Sequence, residues 1–227
     1  MKAVYHTGFG ASDVMTYGDI DDPVAAEGEV LVRVRAAAVN PIDWKIREGL
    51  FDCIFEHGFP LIPGWDMAGK VEALGPGASE FQIGDRVYAY CRRAVAEEGA
   101  YAELIRLPES YLALMPEGMD FAAAATIPLC ALTGWHSLAV FGKLKGGDKL
   151  LIHAGAGGVG SLGIQIARHL GAEVFTTASP ANAEYCESLG GNHVIDYGAT
   201  DYREEIKRLV PEGLHMVFDA VGGTIPD

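Results

Sequence analysis

The segment that most constrains the fold of this chain is a glycine-rich loop between an apolar strand and an amphipathic helix. Its six residues are Gly155, Ala156, Gly157, Gly158, Val159 and Gly160. In this setting the first glycine permits a tight turn, the second lets the backbone approach a pyrophosphate, and Gly160 lets the helix pack close to the strand. The helix N-terminus adds free N–H groups and a partial positive charge. The loop therefore predicts a dinucleotide-binding unit, with an ordinary glycine-rich turn as the alternative.

The residues around the loop alternate regularly between strand and helix patterns. Apolar runs predict four strands, over 149–153, 173–178, 193–196 and 216–221. Helices are predicted over 158–170, near 181–189, and from Asp201, where Glu204 would complete a capping box. The buried face predicted for the first helix comprises Val159, Leu162, Ile166 and Leu170. This alternation is typical of a parallel sheet with crossover helices, as in doubly wound α/β folds.

The chain before residue 118 shows short strands separated by turn residues. Valines recur at every second position from Val30 to Val34, as in an antiparallel sheet with one buried face. A helical stretch over 120–142, interrupted at Pro128, connects the two patterns. We therefore predict a mostly antiparallel β domain over 1–118 and a doubly wound domain over 119–227. Only four of the six strands of a full doubly wound sheet are found, so we expect the second domain to be C-terminally truncated, with an open edge.

The end of the second predicted strand indicates which dinucleotide is favoured. An Asp or Glu at this point would accept hydrogen bonds from the adenine ribose of NAD and repel the 2′-phosphate of NADP. The strand instead ends in Ser179, and no lysine or arginine follows immediately. NADP(H) is therefore favoured, with Ser179, Asn182 and Tyr197 recognising it by hydrogen bonds.

Composition excludes several classes of partner. Acidic residues number 31 and basic ones 17, which gives a net charge of −14 and disfavours nucleic acid and anionic membrane surfaces. The four cysteines have no metal-binding or redox spacing. The sequence shows neither a signal peptide nor an apolar run long enough to cross a membrane, so a cytoplasmic location is predicted.

Ordered sequence blocks outside the loop carry a family resemblance. They are Ala37 to Asp43, Arg47 to Gly49, Pro63 to Gly69, Gly84 to Tyr88, Gly99 to Glu103, Ile127-Pro128 and Leu132-Thr133. With the glycine loop, the chain resembles the medium-chain dehydrogenase/reductase superfamily, and within it the zinc-free quinone oxidoreductase branch. The resemblance implies a GroES-like catalytic domain followed by a Rossmann domain, with the active site between them. It also implies homodimers for intact members.

The resemblance assigns roles to particular residues. Asn40 and Thr133 would border the nicotinamide and its ribose, and residues 156–159 would hold the pyrophosphate. Ser179 and Tyr197 would lie at the adenosine end, and Val221 near the ribose. Two alternatives stay open: Asn40 as a turn residue before Pro41, and Thr133 as a helix hydroxyl bonded to its own backbone.

Two departures from the family pattern limit which metal and which proton donor the reaction can use. Zinc-dependent members have Cys at the position of Asn40 and His-Glu at the positions of Trp65 and Asp66, so no zinc is predicted. Some relatives have Tyr at the position of Phe51. Phenylalanine lacks the hydroxyl group of tyrosine and cannot donate a proton. Protonation would then fall to solvent or to another group, of which Asp43 is a candidate unless it caps a helix.

These features predict an oxidoreductase that transfers hydride from NADPH to a quinone or another α,β-unsaturated carbonyl. The alternatives are a non-catalytic NADPH-binding sensor or crystallin-like protein, or an enoyl-thioester reductase, which Phe51 disfavours. His153 is expected to support the loop by a hydrogen bond, and His136 to be a packed core residue.

Overall fold

The computed structural model describes residues 1–54 and 56–222 and divides into two compact units, Met1–Leu129 and Cys130–Asp227. The boundary between these units falls inside a helix that spans Pro128–Trp135, and the domain boundary that the sequence predicts, at 118/119, stays a prediction. Residues 223–227 of the predicted second domain lie outside the described residues. No helix in the described part of the chain is long and apolar enough to cross a membrane.

The first unit consists mainly of strands. They are β1 (Lys2–Tyr5), β2 (Thr16–Asp19), β3 (Glu29–Ala38), β4 (Glu56–Ile62), β5 (Asp66–Leu74), β6 (Arg86–Tyr90), β7 (Val95–Glu98), β8 (Leu104–Pro108) and β9 (Leu112–Leu114). Two helices accompany them, α1 (Pro41–Arg47) and α2 (Phe121–Ala125).

Five of these strands form an antiparallel sheet in the order β8-β3-β5-β6-β9. Val32 on β3 lies opposite Val71 on β5 and Ile105 on β8, and all three are buried. The valines at alternate positions therefore line one core, as the period of two predicted. The mostly antiparallel, GroES-like character of this unit is confirmed, and β4 with β7 forms a parallel exception.

The second unit contains a four-stranded parallel sheet and its helices. Its elements are the remainder of α3 (Pro128–Trp135), β10 (Lys149–Ile152), α4 (Gly158–His169), β11 (Glu173–Ala178), α5 (Ala183–Leu189), β12 (His193–Asp196), α6 (Tyr202–Leu209) and β13 (Met216–Phe218). The strand order is β12-β11-β10-β13, with every pair parallel. This is the 3-2-1-4 order of a doubly wound sheet, so the predicted fold class is confirmed.

Both faces of this parallel sheet are covered. Leu150 and Ile152 on β10 belong to the core that includes Ile164 of α4. Leu151, between them, belongs to the opposite core with Phe175 and Ile206. Because successive strand side chains point to opposite faces, three consecutive residues of β10 are apolar, Leu150, Leu151 and Ile152, after Lys149 at its start.

One local prediction was incomplete and two were wrong. The deeply buried residues of α4 are Gly160, Gly163, Ile164 and Ala167, whereas the four residues predicted for its apolar face are partly buried, and of these Ile166 and Leu170 pack against the core. Asp201 caps α6 through Arg203 N (2.9 Å), but Glu204 pairs with Lys207 Nζ (2.9 Å) and forms no capping box. His136 is exposed on a π-helical turn over His136–Phe141, not packed in the core.

Candidate functional site

The glycine loop leaves β10 through a left-handed turn at Ala154, whose φ is +53°. The expected turn residue, Gly155, has no positive φ; it is buried, and a side chain there would overlap Thr176 Oγ1. A side chain at Gly160 would overlap the carbonyl oxygen of Ala154. Close packing therefore requires glycine at both positions, and the tight turn itself is made by alanine.

Two threonines of the neighbouring strand β11 hold this turn. Thr176 Oγ1 donates to Ile152 O (2.8 Å), and Thr177 Oγ1 accepts from Ala154 N (3.0 Å). The backbone of Gly155 also donates to Thr177 O (3.0 Å). Sequence reasoning missed this pair, although two hydroxyl residues at the carboxyl end of the strand beside a glycine loop were a usable signal.

His153 lies beside the same anchor. Its Nδ1 is 3.3 Å from Thr177 Oγ1, and its ring packs edge-on against Tyr202 with centroids 4.7 Å apart. Burial lowers the pKa of His153, which favours the neutral imidazole. This geometry fits the supporting role predicted for this histidine.

The first turn of α4 begins with two exposed glycines. A Cβ on Gly157 would meet only Ala154 O, at 3.2 Å, and a Cβ on Gly158 would meet Cys130 Sγ, at 3.0 Å. The N–H groups of Gly158, Val159 and Gly160 begin a helix and have no acceptor one turn earlier within it. A pyrophosphate fits this edge, because backbone donors and the helix dipole are offered where no side chain intervenes.

The other predicted cofactor residues follow the carboxyl ends of the parallel strands. Ser179 follows β11, is half-buried and accepts from Asn182 Nδ2 (3.2 Å). Tyr197 follows β12 and is 63% exposed; Val221 lies beyond β13, is 62% exposed, and donates its N–H to Asp219 Oδ1 (2.8 Å). Because the strands are parallel, these residues share one sheet edge with the glycine loop. Thr133 is exposed on α3 of the same unit.

The predicted catalytic residue of the first unit, Asn40, lies in a buried polar cluster. Asn40 is 5% exposed and precedes α1; its backbone N donates to Asp43 Oδ2 (2.7 Å). Tyr101 OH donates to the same oxygen (2.9 Å). Asp43 therefore caps α1 in a capping-box arrangement, which is the structural alternative to a catalytic acid.

A second carboxylate, Asp66, lies at the start of β5 and is completely buried. Its Oδ2 accepts from Asn40 Nδ2 (2.9 Å), and its Oδ1 accepts from Leu129 N (2.8 Å). Burial raises the pKa of Asp66 to about 6, although these two hydrogen bonds oppose the rise. Burial likewise raises the pKa of Asp43 and of Tyr101. Sequence reasoning named neither Asp66 as a partner of Asn40 nor Tyr101.

Of the three positions that zinc-dependent members fill with Cys and His-Glu, two have an amide and an apolar side chain, Asn40 and Trp65, and the third has the carboxylate of Asp66. Trp65 packs in a cluster with Ile46, Leu61 and Ala96, and Phe51 is partly buried against it. Among the described residues no three His, Cys, Asp or Glu side chains are grouped to hold a metal ion. The absence of zinc stays a prediction, based on the residue types at these positions.

Comparison with known proteins places the chain in a class of enzymes. Residues 26–117 match the family model described as alcohol dehydrogenase GroES-like domain, and residues 158–226 match the model described as zinc-binding dehydrogenase. The structure of Pseudomonas syringae quinone oxidoreductase superposes with a TM-score of 0.88 at 33% identity, over 98% of this chain and 67% of that one. The fold of the two units and these matches thus define a dehydrogenase/reductase of the medium-chain type. The chain belongs to the medium-chain dehydrogenase/reductase superfamily, in its quinone oxidoreductase-like branch.

Curated relatives agree with this placement. The chain is 38% identical to the NADPH-dependent alkenal/one oxidoreductase of Arabidopsis thaliana, over 98% of this chain and 58% of that protein. It is 36% identical to the synaptic vesicle membrane protein VAT-1 homolog of Rattus norvegicus, over 99% of this chain and 54% of the relative. The chain thus spans about half the length of the curated relatives it matches.

Proposed function

We propose that this chain belongs to an NADPH-dependent reductase that transfers hydride to a quinone or another α,β-unsaturated carbonyl. The observation that carries the proposal is the exposed first turn of α4, where Gly157 and Gly158 leave backbone donors open to a pyrophosphate. The names of the Arabidopsis and Pseudomonas proteins support the cofactor and the two acceptor classes.

Each group of residues has a proposed task. Residues 156–159 bind the pyrophosphate, Ser179 and Tyr197 bind the adenosine end, and Val221 borders the ribose. Because the strand before Ser179 ends without a carboxylate, the 2′-phosphate of NADP is not repelled. Asn40 and Thr133 border the nicotinamide, which supplies the hydride when bound.

We propose that the reaction needs no metal. Two positions that hold Cys and His in zinc-dependent relatives have Asn40 and Trp65 here, and neither side chain is a zinc ligand of the usual type. Orientation of the acceptor in a dry site then provides most of the rate enhancement. Phe51 cannot protonate an enolate, so the proton comes from solvent or another group. This favours quinones and simple enones over enoyl thioesters as acceptors.

The experiment is steady-state oxidation of NADPH and NADH with a simple quinone and a 2-alkenal, with and without a chelator. We expect turnover that prefers NADPH and is insensitive to the chelator. Tight NADPH binding without oxidation of any acceptor would instead indicate a binding protein, and loss of activity on chelation would contradict zinc independence.

A matched pair of variants tests the site itself. Gly157→Ala places a methyl group where the pyrophosphate is proposed to lie, so we expect it to weaken NADPH binding. Gly146→Ala is the control: its added Cβ would be 3.5 Å from Leu170 O, an ordinary contact, in the segment before β10. Equal NADPH affinity in both variants would contradict the proposed site.

Small-molecule acceptors are the partners we propose, without nucleic acid or membrane. A homodimer and a cytoplasmic location stay predictions of the sequence. Binding of RNA that weakens with added salt at neutral pH would contradict the inference from net charge.

A further inference from the structure

Asp66 is a buried carboxylate that the proposed chemistry does not use directly. It is 0% exposed, and each of its two oxygens accepts a hydrogen bond. A buried carboxylate is costly to desolvate, and an apolar residue of similar size would cost less free energy. Its hydrogen-bond partners show what the carboxylate does.

Both partners of Asp66 are donors, and each occupies a different oxygen. One is the side-chain amide of Asn40 and the other is the backbone N–H of Leu129, in the first turn of α3. A carboxylate only accepts, whereas an amide has a donating nitrogen and an accepting oxygen on opposite sides. Asp66 therefore fixes which side of the Asn40 amide faces it: the nitrogen faces Asp66 and the oxygen is directed away.

An unconstrained asparagine amide can rotate by about 180° about its last side-chain bond, which exchanges the positions of its donating nitrogen and its accepting oxygen. A residue that borders a nicotinamide must present one of these two faces consistently. Asp43 holds Asn40 in two ways: its carboxylate accepts from the Asn40 backbone N, and its own backbone N–H faces the Asn40 side chain in the capping box. Asp66 is the group to which the amide nitrogen of Asn40 donates.

We propose that Asp66 is a positioning residue for Asn40, whose amide it orients for recognition of the nicotinamide end of the cofactor. This inference rests on the proposed function, because it takes the nicotinamide to lie beside Asn40. Asp66 itself touches neither cofactor nor acceptor in this proposal.

The test compares two ligands on the full chain. NADPH carries the nicotinamide, whereas adenosine 2′,5′-bisphosphate carries only the adenosine end. In Asp66→Asn a second amide replaces the carboxylate, so the Asn40 amide nitrogen no longer faces a group that only accepts, and one of the two constraints on its orientation is lost. We expect affinity for NADPH to fall about tenfold, which corresponds to one lost oriented hydrogen bond, and affinity for the bisphosphate to stay within about twofold.

A double-mutant cycle shows whether Asp66 acts through Asn40. In an Asn40→Ala background, Asp66→Asn is expected to cause no further loss of NADPH affinity, because the group being oriented is gone. Tyr101→Phe provides the matched background: it removes a hydrogen bond to Asp43 in the same buried cluster but keeps the Asp66–Asn40 hydrogen bond, so Asp66→Asn is still expected to lower NADPH affinity about tenfold in it.

If Asp66→Asn does not fold, a measurement on the wild-type protein tests the same proposal. In 15N-labelled protein, the two side-chain amide hydrogens of Asn40 should be distinct and protected from exchange. They should shift on adding NADPH and stay unshifted with the bisphosphate. Additive losses in the cycle, equal losses for both ligands, or a rapidly exchanging Asn40 amide would overturn the proposal.

The outcomes separate the two claims. Wild-type protein that binds NADPH while Asp66→Asn binds it equally well contradicts only the positioning role. Wild-type protein that binds neither ligand contradicts the proposed function, and with it this inference.

Discussion

Asp66 should leave a measurable signature in the pH dependence of stability. Its pKa is raised from 3.8 to about 6 in the folded protein, so the folded state holds this proton more tightly than the unfolded state does. The resulting stabilisation is complete below about pH 3.8 and disappears as pH rises through about 6.

The prediction concerns the difference in unfolding free energy between Asp66→Asn and wild type. This difference should shift in favour of the variant between pH 4 and pH 7, by roughly 3 kcal/mol at most. Urea unfolding at several pH values measures it. A difference that is constant with pH would show that Asp66 does not titrate in this range.

Gly160 tests the close packing of the loop. Gly160→Ala would force its methyl group against the Ala154 carbonyl, and backbone atoms on both sides can move little. We expect a loss of about 1–3 kcal/mol in unfolding free energy together with weaker NADPH binding. Thermal unfolding with Gly146→Ala as control measures this, and a Gly160→Ala protein as stable as its control would contradict the packing argument.

At the level of single residues, the sequence predicted which glycines matter but not why each does. Gly160 has the packing role expected of it, whereas Gly155 is required by Thr176 on another strand. The turn residue is Ala154, and alanine is not a residue type that predicts a left-handed turn. Such roles, like that of Asp66, depend on neighbours distant in sequence, so a local pattern does not contain them.

Helix α6 tests the difference between an N-cap and a capping box. Asp201 accepts a backbone hydrogen bond at the start of the helix, so Asp201→Ala should cost about 1 kcal/mol. Glu204 makes only an exposed pair with Lys207, so Glu204→Ala should cost about 0.5 kcal/mol or less. Chemical denaturation of both variants measures these costs; equal losses would indicate that the capping box forms in solution.

At the level of elements, hydrophobic periodicity predicted the strands and helices of the second unit well. It was incomplete for the buried face of α4, because Gly160, Gly163 and Ala167 are buried by closeness to the sheet rather than by hydrophobicity. Gly163 illustrates this, since a Cβ there would lie 3.5 Å from Ile152 Cδ1. His136 was wrongly predicted to be buried for a related reason. Apolar neighbours in the sequence do not determine which side of a helical turn packs against the rest of the protein.

For the whole molecule, the strand patterns were enough to predict the character of the two larger sheets, one antiparallel and one parallel, but not the two-stranded pairs β1-β2 and β4-β7. The parallel order β12-β11-β10-β13 follows from crossover helices, and it aligns the glycine loop, Ser179 and Tyr197 at one edge. The polar cluster of the first unit was less predictable. Asn40, Asp66 and Tyr101 come from three separate segments, and only the folded sheet brings them together.

The proposed reaction passes hydride from NADPH to a conjugated acceptor without a metal. It is tested by following deuterium from NADPH deuterated at the transferred C4 position, with a simple enone as acceptor and a chelator present. We expect deuterium at the β-carbon of the saturated product and a slower rate than with unlabelled NADPH if hydride transfer limits turnover. A product without deuterium, or no product unless zinc is supplied, would contradict it.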